Sequence, residues 1–228
     1  RSSDLHMLGV KVEYVPDALF LWRMSYFDKT HGLPGASPYL TTLMERTALI
    51  ELPEIKHPYI VVAGSSRVST SKKQAIESYA SMISGIQSQG LKVIACQPGP
   101  GDEFLKNAAD KVGCSYVTAK TPIIAGAALL AGASAFISGR YHPSILASNG
   151  GTPCIFLGSN SHKTLSLQRV LDYDIVSEYQ CPPREDEVLK IIERVLSVAN
   201  DQDLRNKIYQ QSLSCASKVV DYYDKVLS

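Results

Sequence analysis

The chain reads as an α/β protein: a Rossmann-like parallel sheet with helices on both faces. Two observations predict this. From Tyr59 onward, short apolar runs alternate with helical stretches of ten or more residues, a pattern that calls for parallel strands joined by right-handed crossovers. The apolar runs are continuous rather than alternating, as strands covered on both faces require. A length of 228 residues, 45% hydrophobic and 20% charged, holds one large domain or one domain plus part of another.

The elements follow in order from Tyr59. The run 59–63 is a buried strand, and Gly64-Ser65-Ser66-Arg67 turns at its carboxyl end. Residues 71–89 form a long helix with Ile76, Tyr79, Ala80, Ile83 and Ile86 on one stripe, closed by Gly90. The run 91–95 is the next strand and leads into Gln97-Pro98-Gly99-Pro100-Gly101. A helix over 102–112 follows, opened by Asp102 as its cap. A short strand at 115–118 precedes an Ala-rich helix over 122–131, small enough to pack closely on a sheet. The run 135–138 is a strand, Gly139 frees its end to turn, and Pro143 suits the first helical position. Gly150-Gly151 ends that helix, Pro153 prevents it resuming, and 154–157 is another strand. Helices are expected over 163–171, 185–199 and 201–227, with a last strand at 175–179. The final helix carries an apolar stripe (Leu204, Ile208, Leu213, Val219, Tyr222, Val226) suited to packing on a further structural half.

Residues 1–57 do not resemble a complete domain. They hold a short strand candidate at 10–15, an apolar run at 18–22, a Gly- and Pro-rich loop and a weakly periodic helix at 38–49. The chain divides into 1–57, a remnant plus linker, and 58–228, the sheet domain. It opens on Arg1 with neither a starting Met nor a signal peptide, as a fragment or processed piece would. No apolar run approaches the ~20 residues of a transmembrane helix. A net charge of +1 gives no support for a nucleic-acid or membrane-surface partner. Five widely spaced Cys with no CxxC pair argue against a structural zinc site and fit a reducing, cytoplasmic setting. Cys96 and Cys154 sit in apolar runs and are expected to be small core residues.

The sharpest chemical signal is Arg140-Tyr141-His142. Arg offers a planar fork that meets a carboxylate or phosphate with two parallel hydrogen bonds. His exchanges a proton near neutral pH. At a strand end beside a helix N-terminus, the pair could hold an anion and supply an acid. The plain alternative is an Arg paired to a nearby acid and a His capping the helix. The hydroxyls and backbone N–H groups of Ser65 and Ser66 could meet a phosphate, with Arg67 adding charge, although a solvated turn has the same composition. Gln97 to Gly101 could wall the same crevice or serve only as a rigid turn. Lys163 could ground a phosphate, or be plain surface. The chain has no GxGxxG, no GxxxxGK[ST] and no GxSxG elbow. No cofactor or metal is expected.

Three segments together resemble the polysaccharide pyruvyl transferase family. Val15-Pro16-Asp17-Ala18-Leu19-Phe20 is similar to the Pro-Asp-x-x-Phe segment that ends the family's N-terminal half. Ser138-Gly139-Arg140-Tyr141-His142 resembles its Arg-x-His motif, and Gly150-Gly151-Thr152-Pro153 with Lys163 resembles its Gly-x-Pro…Lys continuation. The resemblance implies two Rossmann-like halves around a cleft, as in the GT-B glycosyltransferase fold, with this chain covering mainly the C-terminal half. It implies phosphoenolpyruvate as donor and a sugar or lipid-linked glycan as acceptor, in cell-wall or exopolysaccharide synthesis. Arg140 then binds the donor anion and His142 is the general acid. Apart from the resemblance, the residues themselves add Arg67, Ser65, Ser66, Gly139 and, more weakly, Lys163 as an expected substrate-binding set. The family's Gly-rich opening segment has no counterpart before Val10, so a missing N-terminal half or another copy in a homo-oligomer would complete the acceptor side.

Two other readings compete. A nucleotide-sugar glycosyltransferase or epimerase shares this architecture, but it would need acidic residues after the Gly-x-Pro strand to hold a ribose. The run Thr164 to Val170 has none. A non-catalytic glycan- or anion-binding module is the third.

Overall fold

In the computed structural model, residues 14–22, 58–66 and 72–227 are described. Five parallel strands form one sheet in the order β3-β2-β1-β4-β5. They are β1 (Tyr59–Ser65), β2 (Lys92–Cys96), β3 (Ser115–Val117), β4 (Ala135–Gly139) and β5 (Cys154–Phe156). The helices are α1 (Lys72–Gln87), α2 (Phe104–Val112), α3 (Ile123–Gly132), α4 (Tyr141–Asn149), α5 (Lys163–Val170), α6 (Glu185–Val198) and α7 (Gln202–Leu227). A 3₁₀ turn spans Ala18–Phe20.

The strands alternate between two hydrophobic layers, because successive side chains leave opposite faces. Tyr59, Val61, Ile94, Phe136 and Phe156 face a layer shared with α3, α4, α7 and Phe20. Ile60, Val62, Val93, Ile137 and Ile155 face the other, closed by α1, α2 and α6. Every residue of β1 is buried, which is why its sequence shows no period. Ile94 is fully buried, so Ile94→Ala would cost about 2–5 kcal/mol. Cys96 and Cys154 are buried as expected, and all five thiols are free.

The helices start and stop close to where their sequence signals lie. α6 opens with Glu185, Asp186 and Glu187, which suit the positive end of the helix, and Glu187 accepts the Arg184 and Gln180 N–H groups. Gly151 takes φ 76° where the chain leaves α4, and its missing Cβ lets the Arg205 carbonyl of α7 approach. Pro143 is the third residue of α4 rather than the first. The position is still harmless, because the first four N–H groups of a helix have no partner within it.

Three expectations change. Residues 175–179 do not form a strand. They contribute one bridge, Leu157 to Tyr179, because Ser177 N–H is bonded to the Gln168 side chain and Ile175 turns outward, 68% exposed. Asp102 does not cap α2, whose cap residue is Glu103. Part of the α7 stripe packs within this chain: Ile208 and Val219 are buried and the helix lies against α4 and the 3₁₀ turn, whereas Val226 at its outer end is 59% exposed. Two polar ties fix it there. Ser212 Oγ donates to Asn149 Oδ1 at 2.7 Å. The Arg205 guanidinium donates to the Ala133 carbonyl at 2.9 Å and the Ala131 carbonyl at 3.1 Å. Of the segments outlined before Tyr59, the strand candidate at 10–15 lies mostly, and the 38–49 helix wholly, outside the described residues. No helix among the described residues is long and apolar enough to cross a membrane.

Candidate active site

The strand order reverses at β1, which lies between β2 and β4. In open parallel sheets, ligands bind beyond the carboxyl ends of the strands at such a reversal. A cleft of about 710 Å³ lies there. Its polar wall holds Arg140 from the end of β4, His142 from the first turn of α4, Gln97 from the end of β2, and Asp17. Leu19, Ile123, Leu130 and Leu146 make the apolar wall.

Arg140 is locked in place. Its Nε donates to Asp102 Oδ2 at 3.0 Å and its Nη2 to Asp102 Oδ1 at 2.8 Å, the fork geometry of a bidentate pair. Nη2 also reaches the Pro100 carbonyl at 3.0 Å. No described residue bonds Nη1, which leaves one face of the guanidinium for a ligand. The Asp102 side chain is 0% exposed and that of Arg140 23%. Burial pushes the Asp102 carboxyl above its ordinary value, and the hydrogen bonds and charge of Arg140 pull against that rise.

Room for Asp102 comes from β1. The pairing of β1 with β4 slips between Val62 and Ser65, and Gly64 sits in the irregularity. A Cβ on Gly64 would overlap the Asp102 carboxylate. Ser138 Oγ donates to the Gly64 carbonyl at 3.0 Å and accepts the Arg140 N–H at 3.0 Å, so the two strand ends are tied together.

His142 stands in the open, its side chain 63% exposed, with Nε2 3.6 Å from Asp17 Oδ2. Asp17 is held by its other oxygen, which accepts the Leu19 N–H at 2.9 Å. The carboxylate thus faces the imidazole from a fixed position.

The remaining sequence candidates divide. Ser65 is buried, donates to the Gly158 carbonyl at 2.6 Å, and packs where Gly139 has no side chain. Ser66 is exposed and donates to Asn160 Oδ1 at 3.0 Å. Lys163 begins α5, with Nζ 5.7 Å from the Tyr141 ring centroid, and is not on the cleft wall. Arg67 lies outside the described residues. Gln97 does wall the crevice, its Oε1 accepting the Tyr116 hydroxyl at 2.5 Å. Sequence reasoning missed Asp102 and Asp17 as site residues. The only local signal for Asp102 was its place after the Gly-Pro-Gly turn. Asp17 lay within a motif but carried no assigned task. Among the described residues, no group of three His, Cys, Asp or Glu side chains is placed to hold a metal ion.

Solved structures similar in fold to this chain include glycosyltransferases. CalG4, the calicheamicin glycosyltransferase, superposes with a TM-score of 0.51 at 17% identity, over 78% of this chain and 43% of its own. Os79 from O. sativa, in complex with U2F and trichothecene, gives 0.51 at 12% identity, over 92% and 47%. The GtfA/B complex gives 0.50 at 15% identity, over 76% and 36%. At such identities the likeness is one of fold, and the fold is that of one half of a GT-B protein. The chain spans less than half the length of each of these proteins. No curated protein matches the sequence. The family model described as polysaccharide pyruvyl transferase matches residues 1–161.

Proposed function

From the premise that the chain belongs to the polysaccharide pyruvyl transferase family, we propose that its cleft moves the enolpyruvyl group of phosphoenolpyruvate onto a sugar to form a pyruvate ketal. Arg140 binds a donor anion and His142 is the general acid. The observation that carries this reading is that a clamped Arg140 and an exposed His142 share one cleft at the strand reversal. The amino end of α4 adds favourable potential for an anion at the same place.

The chemistry balances with these groups. Protonated His142 gives its proton to the methylene carbon of the enol phosphate, leaving a cationic carbon stabilised by the adjacent oxygen. One sugar hydroxyl adds there and returns a proton to the imidazole. The C–O bond to phosphate breaks, and a neighbouring hydroxyl closes the ring. The proton of that second hydroxyl leaves with the phosphate. Asp17 holds the imidazole toward the cleft, and Arg140 meets the negative charge on the donor. The donor lies within 58–228, and the acceptor, a sugar or lipid-linked glycan, is held largely by residues outside that span.

Incubation of the protein with phosphoenolpyruvate and candidate glycans is the test. The reading expects inorganic phosphate release together with a new ketal methyl signal on the sugar by NMR. Turnover of a nucleotide sugar, with no phosphate release from phosphoenolpyruvate, would overturn it in favour of glycosyl transfer.

A further inference from the structure

A second cavity, of about 120 Å³, opens beside β5, between α5, the 172–179 segment and α6, and shares no wall residue with the cleft. It is far larger than the ~15 Å³ that one water needs. Its polar wall is made of Gln168, Tyr173, Ser177, Tyr179 and Arg194, and no Asp or Glu lines it.

Two of these groups are unusual. Gln168 is 1% exposed, and its Nε2 has no hydrogen-bond partner among the described residues. The amide cannot simply be turned over, because its Oε1 accepts the Ser177 N–H at 2.9 Å, and only an oxygen can do that. A buried donor left unpaired costs about 1–3 kcal/mol, a cost that an acceptor in the cavity would remove. Arg194 is half-buried, and no described residue forms an ion pair with it. Tyr173 Oη accepts the Cys154 N–H at 2.8 Å and is also bonded to the Cys154 thiol, so Tyr179 is the tyrosine left to offer a donor. Burial pushes both hydroxyls up, so they stay protonated, with Arg194 pulling against the rise.

We propose that this cavity binds a small oxyanion, a carboxylate or phosphate group, between the Arg194 guanidinium and the Gln168 amide. A cation has no ligand here, and a neutral apolar guest would leave both donors unpaired. The proposal stands apart from the pyruvyl reading, since none of its residues lies in the cleft.

The test is an NMR titration of the ¹⁵N-labelled protein with inorganic phosphate or with acetate, at ionic strength held constant with sodium chloride. The Gln168 side-chain NH₂ signals, identified by their loss in Gln168→Leu, should shift saturably with at least one anion. Whichever saturates at lower concentration identifies phosphate or carboxylate as the better ligand. Arg194→Ala, and equally Arg194→Gln, which keeps most of the bulk, should weaken that binding by tenfold or more. Arg140→Ala should leave it unchanged. Absence of a saturable shift would mean a water-filled gap and overturn the proposal, and so would unaltered titration in both Arg194 variants.

Discussion

Gly64 and Asp102 fit together only because Gly64 has no side chain: the carboxylate occupies the space a Cβ would take. That fit lets an acid buried at 0% exposure reach the strand end and grip Arg140 with two hydrogen bonds. Gly64→Ala should therefore expel the carboxylate. The expected cost is about 1–3 kcal/mol of stability, as for other overpacked sites, together with loss of donor binding. Urea unfolding and a phosphoenolpyruvate titration would measure both. Unchanged values in the two would show that the strand end has room to spare.

Breaking the Arg140–Asp102 pair from the arginine side has a pH signature. Removing one partner of such a pair costs about 3 kcal/mol, the low end of the usual range because Arg140 is partly open to water. In Arg140→Ala the Asp102 carboxyl loses the groups that hold down its rise. An acid with a raised folded value keeps its proton after the unfolded chain has lost it, so stability falls as pH rises from about 3.8 through the folded value. The melting-temperature gap between wild type and Arg140→Ala should therefore widen from about pH 4 toward neutrality. A constant gap would mean that Asp102 is not the group left unpaired. Arg140→Lys should recover only part of the loss, since an ammonium cannot make two parallel bonds.

The imidazole can be tested with little risk to folding. Its side chain is 63% exposed, so His142→Ala should change stability by less than about 0.5 kcal/mol. Turnover should fall by roughly 10²–10⁴-fold, the usual share of a general acid. Asp17→Asn keeps an oxygen for the Leu19 N–H but loses the charge facing Nε2, and should lower turnover by less than His142→Ala does. Equal rates in wild type and His142→Ala would remove His142 from the mechanism.

Alkaline pH should unfold the protein early. Burial pushes the Cys96 and Cys154 thiols from 9.0 to about 12, and the Tyr59 and Tyr141 hydroxyls from 10.0 to about 12. For each group the folded value exceeds the unfolded one. Its contribution is therefore complete below the unfolded value and is lost as pH rises toward the folded value. The melting temperature should begin to drop near pH 9 and steepen near pH 10. A flat profile from pH 9 to about 11 would show that these groups reach water in the folded state.

Most of the sheet was legible in the sequence because its signal is local. Four of the strands are continuous apolar runs ending in Gly, Ser or Pro turns, and burial on both faces makes such runs necessary. The stretch at 175–179 misled for a physical reason: its composition suits a strand, but the Ser177 N–H is taken by the Gln168 side chain. Arg140 and His142 stood out as residue types at a strand end. Their partners did not, because Asp102 is 38 residues from Arg140 in sequence and reaches it through a gap at Gly64. Asp17 comes to His142 from a segment whose Phe20 is buried in the sheet's core, a contact no local pattern encodes. Ser65 carried a phosphate-binding signature, but its hydroxyl is bonded to the Gly158 carbonyl beneath the cleft.

The latch made by Arg205 has a consequence for engineering. It fastens α7 to the Ala131 and Ala133 carbonyls, just ahead of β4, whereas Arg140 stands where the same strand ends. One arginine secures the scaffold and the other stands on the cleft wall, with a whole buried strand between them. Specificity could thus be redesigned around Arg140 while the fastening at Arg205 is left untouched, and thermal tolerance could be improved near Arg205 without retuning the chemistry.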